Sequence, residues 1–316
     1  MIFNRRRRAT PRLAPELDDA DLGKVCRQLD VRNNARARPV VGPLVERLLK
    51  ETGRDWDRRS HRLAVLASMT RPGAQESWAQ QAPDSAEAMN LYAWGAMTRG
   101  ARTPLSYDEV SAALDACRAA ARLDPSDPSP WVAQLGLLRQ WRRPTDEVFP
   151  VWDEIVSRDP WHREAHVQMF GYLSADECGS HAQAMEFVDQ VRSSAPATAP
   201  TVALPLVSLV DRYFRLLAQG GLNAMMADQF WSGHEVDGVL RDGLTLWSRP
   251  GHLQHAEALR DLNLLAFALL AAKQTPLAAP VFEAIGGVVT PVPWGHGGQD
   301  PVDAFTRAWQ RTDPAR

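Results

Sequence analysis

Residues 113–125 read Ala-Leu-Asp-Ala-Cys-Arg-Ala-Ala-Ala-Arg-Leu-Asp-Pro. Ala113, Cys117 and Ala120 follow one another by steps of four and three, and Pro125 comes five residues later. Such steps put three side chains on one face of a helix. The proline beyond the stripe ends that helix, because its ring drives the preceding residue into extended geometry. The same steps recur in Val148, Trp152, Ile155 and Pro160, and again in Ala184, Val188, Val191 and Pro196. The three prolines lie 35 and 36 residues apart. A degenerate copy runs through Ala278, Phe282 and Ile285 towards Pro291.

A period of this length marks supersecondary units that bury their apolar faces by stacking on one another. The spacing therefore predicts an all-α fold of stacked antiparallel helical hairpins over residues 84–123, 128–157, 161–194 and 256–286. Outside the repeats the period stays helical, as in Val41, Leu44, Val45, Leu48 and Leu49, and in Leu63, Leu66 and Ala67. No stretch alternates as a strand does, and Pro291 and Pro293 reduce Val288–Val292 to an extended loop. The predicted organisation is a disordered basic arm over 1–15, a helical segment over 16–80, repeats over 81–196 and a C-terminal helical segment over 197–316. The arm carries Arg5 to Arg8, a short basic tether or a solvated tail, with Pro11 and Pro15 behind it.

Ala113, Ala120 and Pro125 resemble the second helix of the tetratricopeptide repeat, which carries small, large and small residues before a proline. The first helices match less well, since Leu135-Gly136 falls one residue late after Trp131. A further resemblance lies in Ala-Trp-Gly-x-x-x-Arg-Gly (93–100), Gly-Ser-His (179–181), Asn-Leu-Leu-Ala (263–266), Phe-x-x-Ile-Gly (282–286) and Pro-Trp (293–294). This order is similar to a family of tetratricopeptide-like helical proteins found mainly in actinobacteria. The resemblance implies an α-solenoid, carries no known activity and transfers no catalytic residue. Ala-Asp-Glu-Cys (175–178) departs from the Pro and Trp expected there.

Composition narrows the function. The 316 residues carry 36 Lys+Arg against 38 Asp+Glu, a net charge of −2, which offers no global attraction to nucleic acid. The longest apolar run, Leu262–Ala272, is about half of the roughly 20 residues a spanning helix needs, so no membrane insertion is expected. The N-terminal arginines are followed by no apolar run, and three scattered cysteines fit a reducing compartment, so the expected location is the cytoplasm.

Phosphate-binding glycine loops and nucleophile elbows are missing from the sequence. His162 and His166 sit at i and i+4, and Cys178 and His181 follow a turn later, the spacing of an alternative metal-dependent site. His-Arg-Glu-Ala-His lacks the glutamate placement of a zinc protease. His252 and His255 form a weaker pair, and Cys117 sits at a core position where cysteine is an inert hydrophobe. The leading expectation is a non-catalytic scaffold, without cofactor, whose concave groove is lined by the first helices. Tyr92, Arg99, Trp131, Arg139, His162 and His166 are its candidate anchors, suited to an acidic or C-terminal peptide segment. A small-molecule sensor, with its pocket between the repeats and the C-terminal segment, is the other alternative.

Overall fold

The structure, a computed structural model, describes residues 10–30, 41–247 and 253–312. Its fold is all-α. Arg5–Arg8 and His252 lie outside the described residues. No helix among the described residues is long and apolar enough to cross a membrane. The chain divides into two compact units. The first runs from Asp18 to Ala195 and takes in Ala199–Thr201; the second runs from Val202 and includes Pro196–Thr198 and the described stretch up to Leu17.

The first unit contains α1 (Ala20–Leu29), α2 (Val41–Lys50), α3 (Trp56–Met69), α4 (Pro72–Gln81), α5 (Ala86–Gly100) and α6 (Tyr107–Leu123). It continues with α7 (Ser129–Gln140), α8 (Thr145–Arg158), α9 (Arg163–Tyr172) and α10 (His181–Ser194). Local chemistry sets these boundaries. Asp19, Asp55, Ser85 and Ser180 accept from backbone N–H groups in the first turns they precede, and Ser106 forms a capping box with Glu109. At the other ends, Asp124, Asp159 and Ala195 are extended, with ψ of 91°, 93° and 136°. Each precedes one of the periodic prolines, which is why α6, α8 and α10 stop there.

The repeated stripe is buried. Ala113, Cys117, Ala120, Val148, Ile155, Ala184, Val188 and Val191 all face the interior, while Trp152 is half-buried. Helix α6 packs on α5, α8 on α7 and α10 on α9, and α5, α7 and α9 pack in succession. Glycines permit that approach: a methyl group at Gly136 would overlap Met97 Sδ, and one at Gly171 would overlap the Arg139 guanidinium. Helix α3 touches α5, α7 and α9 alike, so three first helices converge on it.

The second unit contains α11 (Leu204–Gln219), α12 (Gly221–Phe230), α13 (His234–Leu246), α14 (Ala258–Ala271), α15 (Thr275–Ile285), α16 (Pro291–Trp294) and α17 (Pro301–Arg311). Helices α14 and α15 form a packed pair whose stripe of Ala278, Phe282 and Ile285 is buried. Gly286 ends α15 with φ +64°, a left-handed geometry that glycine adopts without penalty. Phe282, Trp294, Phe305 and Trp309 interlock in the core.

Two expectations are corrected here. Val288–Val289 is a strand, β2, that pairs in parallel with β1 (Arg12–Leu13). Arg12 N–H donates to Gly287 O at 3.0 Å and Ala14 N–H to Val289 O at 3.2 Å, so the prolines after Val289 leave those acceptors free to pair. The expected disordered arm therefore does not extend to residue 15. The part of it before Thr10 lies outside the described residues.

Candidate functional site

The six candidate anchors do not line one groove. His162 is buried and caps α9: its Nδ1 accepts from Ala165 N–H, which leaves Nε2 to donate to Ser60 Oγ at 2.8 Å. Beside it, Arg59 donates to Asp127 Oδ2 at 2.8 Å, Asn90 Nδ2 to the same oxygen at 3.0 Å, and Ser129 N–H to Oδ1 at 2.7 Å. Asp127 is fully buried. These bonds tie α3 to the N-terminal ends of α5, α7 and α9, where an open groove was expected.

Arg139 is half-buried, and its fork is already taken. Nε and Nη2 meet the two Glu177 carboxylate oxygens at 2.7 and 2.6 Å, and Nη1 donates to Gln168 Oε1 at 2.9 Å. Arg99 Nη1 reaches Gln75 Oε1 at 3.5 Å and Nη2 lies 4.0 Å from Glu109, so its charge is partly balanced. The two arginines expected to hold a ligand carboxylate are thus engaged within the chain.

Tyr92, Trp131 and His166 face a different surface: the clefts between successive second helices. Tyr92 lies among Gln80 of α4 and Asp115 and Ala116 of α6, and burial raises its phenol pKa. Trp131 carries the Arg158 guanidinium of α8 over its ring at 5.4 Å. His166 forms part of the floor between α8 and α10. This last cleft holds about 420 Å³, and aromatic side chains line much of it. Trp152 of α8 meets the His166 ring edge-on at 5.0 Å, and Phe187 of α10 stacks on it at 5.7 Å. Trp161 stacks on it at 6.2 Å, and Phe149 borders the cleft with its ring exposed.

Burial holds the His166 pKa below its ordinary value, so the ring is neutral. Nδ1 lies 2.9 Å from His162 O, and a carbonyl only accepts, so Nδ1 carries the proton and Nε2 the lone pair. That nitrogen has no hydrogen-bond partner among the described residues. Helix α10 lines the opposite wall with Gln183, Glu186, Gln190 and Ser194. The cleft is therefore an apolar aromatic wall facing a polar one, with Glu186 as its single charged lining residue among those described.

The alternative metal cluster does not form. Both His162 nitrogens are engaged, His166 is wedged between aromatic rings, and Cys178 and His181 are exposed. No three His, Cys, Asp or Glu side chains among the described residues come together as a metal site. Burial and the neighbouring Glu177 raise the Cys178 thiol pKa, the opposite of an activated nucleophile.

Spacing alone missed Phe149, Phe187 and the α10 amides. Phe187 lies beside the stripe residue Val188, and the alternation of Gln183, Phe187 and Gln190 along α10 is the local signal for a two-sided cleft. In comparisons with known proteins, no protein-family model matches the chain, and no curated protein matches it.

Proposed function

We propose that the chain is a non-catalytic binding module, a stack of tetratricopeptide-like hairpins that takes a peptide segment in the cleft between α8 and α10. The 35- and 36-residue period of buried stripes supports the solenoid reading. The observation that carries the functional reading is the pairing of exposed Phe149 and half-buried Trp152 with the amides of Gln183 and Gln190. Aromatic walls hold an apolar anchor at low entropic cost, while side-chain amides match the N–H and C=O groups of extended backbone. His166 Nε2 offers one further acceptor at the floor. With Glu186 as the charged residue, the segment this cleft fits is neutral or basic around its anchor, rather than acidic.

The test pans a random peptide library on the full chain and measures selected peptides by fluorescence polarisation. Phe149→Ala, at an exposed position, and Gln190→Ala test the two walls without emptying the core. The expected result is enrichment of peptides with a large apolar anchor, each weakened by about 2 kcal/mol in Phe149→Ala. Absence of enrichment, or selected peptides that bind both variants as they bind the parent, overturns the proposal.

A further inference from the structure

The second unit contains its own cavity, of about 500 Å³, and its chemistry differs from that of the α8–α10 cleft. One wall is aromatic. Phe214 of α11 packs on Phe267 of α14 with ring centres 5.4 Å apart, and Phe267 meets Trp294 edge-on at 5.9 Å. The Trp294 indole N–H is already satisfied by Asn263 Oδ1 at 2.7 Å, so this ring presents apolar surface. His296 lies flat on Phe214 at 4.0 Å. Gly297 and Gly298, with φ of +75° and +80°, make the tight turn that follows it.

The other wall is α17. Arg307 and Arg311 are four residues apart, hence neighbours on one helix face, and both line the cavity. Arg307 donates to the neutral Gln299 Oε1 at 3.2 Å, and neither arginine forms an ion pair among the described residues. No Asp or Glu among the described residues lines this cavity. Among the described residues, two guanidinium groups without an ion-pair partner therefore stand at the edge of an apolar, ring-lined space. Low-dielectric walls concentrate their field on whatever enters. Pockets of this volume, mostly apolar with a few convergent polar groups, are typical of small-molecule sites.

We infer that this cavity binds a small organic acid, with its ring-bearing apolar body against Phe214, Phe267 and Trp294 and its carboxylate between Arg307 and Arg311. The planar guanidinium fork matches a carboxylate bidentately, and the aromatic faces favour a planar body. Specificity follows from the charge: a neutral molecule of the same shape keeps the apolar contact and loses the ionic one.

Isothermal titration calorimetry on the full chain compares 2-naphthoate with 2-naphthamide, its neutral isostere, and with 2-naphthyl phosphate. The expected order is 2-naphthoate at least about tenfold tighter than 2-naphthamide, with the advantage shrinking as salt rises. The double variant Arg307→Gln/Arg311→Gln, at two exposed positions, brings 2-naphthoate down to the 2-naphthamide level and leaves 2-naphthamide unchanged. Arg311→Lys restores part of the difference by keeping the charge without the fork. Tighter binding of 2-naphthyl phosphate than of 2-naphthoate reassigns the site from carboxylate to phosphate and overturns the proposal as stated. Equal binding of 2-naphthoate and 2-naphthamide, a double variant that binds 2-naphthoate as the parent does, or no saturable binding by the folded chain also overturns it.

Discussion

Asp127→Ala tests the convergence of first helices on α3. The Asp127 carboxylate is fully buried and receives Arg59 Nε, Asn90 Nδ2 and Ser129 N–H at 2.8, 3.0 and 2.7 Å. Removing it leaves the Arg59 guanidinium, itself only 4% exposed, with the Leu49 carbonyl at 3.2 Å and Glu87 at 3.8 Å. Stranding one member of a buried ion pair costs about 3–5 kcal/mol, and loss of the Ser129 N–H acceptor at the start of α7 adds about 1 kcal/mol. Asp127→Asn keeps the shape and an acceptor, so its cost is smaller, about 1.5–3 kcal/mol. Arg59→Met removes the cation, so in Arg59→Met/Asp127→Ala neither member of this pair is stranded, and only the longer Glu87 contact at 3.8 Å is lost. The double variant then costs at least about 1 kcal/mol less than the sum of the singles. Because the chain has two compact units, a single unfolding midpoint does not isolate the effect. Native-state hydrogen exchange of peptides covering α3, α5 and α7 does. A loss below about 1 kcal/mol in Asp127→Ala, or strict additivity in the double variant, would refute the claim that this network pins α3 in place.

Gly136→Ala forces a methyl group onto Met97 and is expected to cost about 1–3 kcal/mol, whereas Gly73→Ala, a helical site with nothing close by, gains about 0.4–1 kcal/mol. Native-state hydrogen exchange of peptides from α4, α5 and α7 checks the contrast. Cys117, fully buried with its pKa pushed up to about 12, and buried Cys26 stay silent to a disulfide reagent in the native chain. One exposed thiol, Cys178, reacts, and three react after unfolding. His166 gives a pH signature: because burial lowers its folded pKa below the ordinary 6.5, the unfolded chain takes up the proton first as pH falls. Stability therefore declines from about pH 6.5 down to the folded pKa, by at most about 1.4 kcal/mol per pH unit, and levels off below it. His166→Phe flattens that part of the curve, and an unchanged slope between pH 7 and 5 would exclude His166 as its source.

What was legible in the sequence was local. Ala113, Cys117 and Ala120 declare their face because burial on a helix repeats within a few residues, and the Leu-Asp-Pro ending sets the stop without help from tertiary structure. The orientation of the first helices was not legible. Tyr92, Trp131 and His166 are residue types that favour contact, but whether they point to an inner groove or outward beside α6, α8 and α10 depends on contacts with Asp115, Arg158 and Phe187. Arg139 illustrates the same limit: nothing near it in sequence announces that Glu177, 38 residues on, fills its fork. The pairs that draw α3 inward are more distant still, 68 residues for Arg59 with Asp127 and 102 for Ser60 with His162. Periodicity reads neighbours on one helix, and these partners are neighbours only after folding.

The buried polar contacts also determine which faces of the first unit's helices are covered. An apolar α3 would gain as much from burial but could slide along α5, α7 and α9, because hydrophobic contact is non-directional. Arg62 with Asp19, Arg59 with Asp127 and Ser60 with His162 each satisfy a buried polar group in one position only. Burial alone would raise the Asp19 pKa, yet the Arg62 guanidinium and the Leu22 N–H hold it below its ordinary value, so the pair is ionised and its geometry enforced. Sliding α3 by one turn, about 5.4 Å, would leave every one of these groups unsatisfied. With α3 locked, the N-terminal ends of the first helices are closed to a partner. Of the aromatic side chains within reach of solvent, Tyr107 packs on Trp141 at the C-terminal end of α7, and the α8–α10 set lies between those two helices, with Phe149 its most exposed member. The proposed peptide site therefore rests on the α8–α10 cleft, where an aromatic wall and side-chain amides stand together.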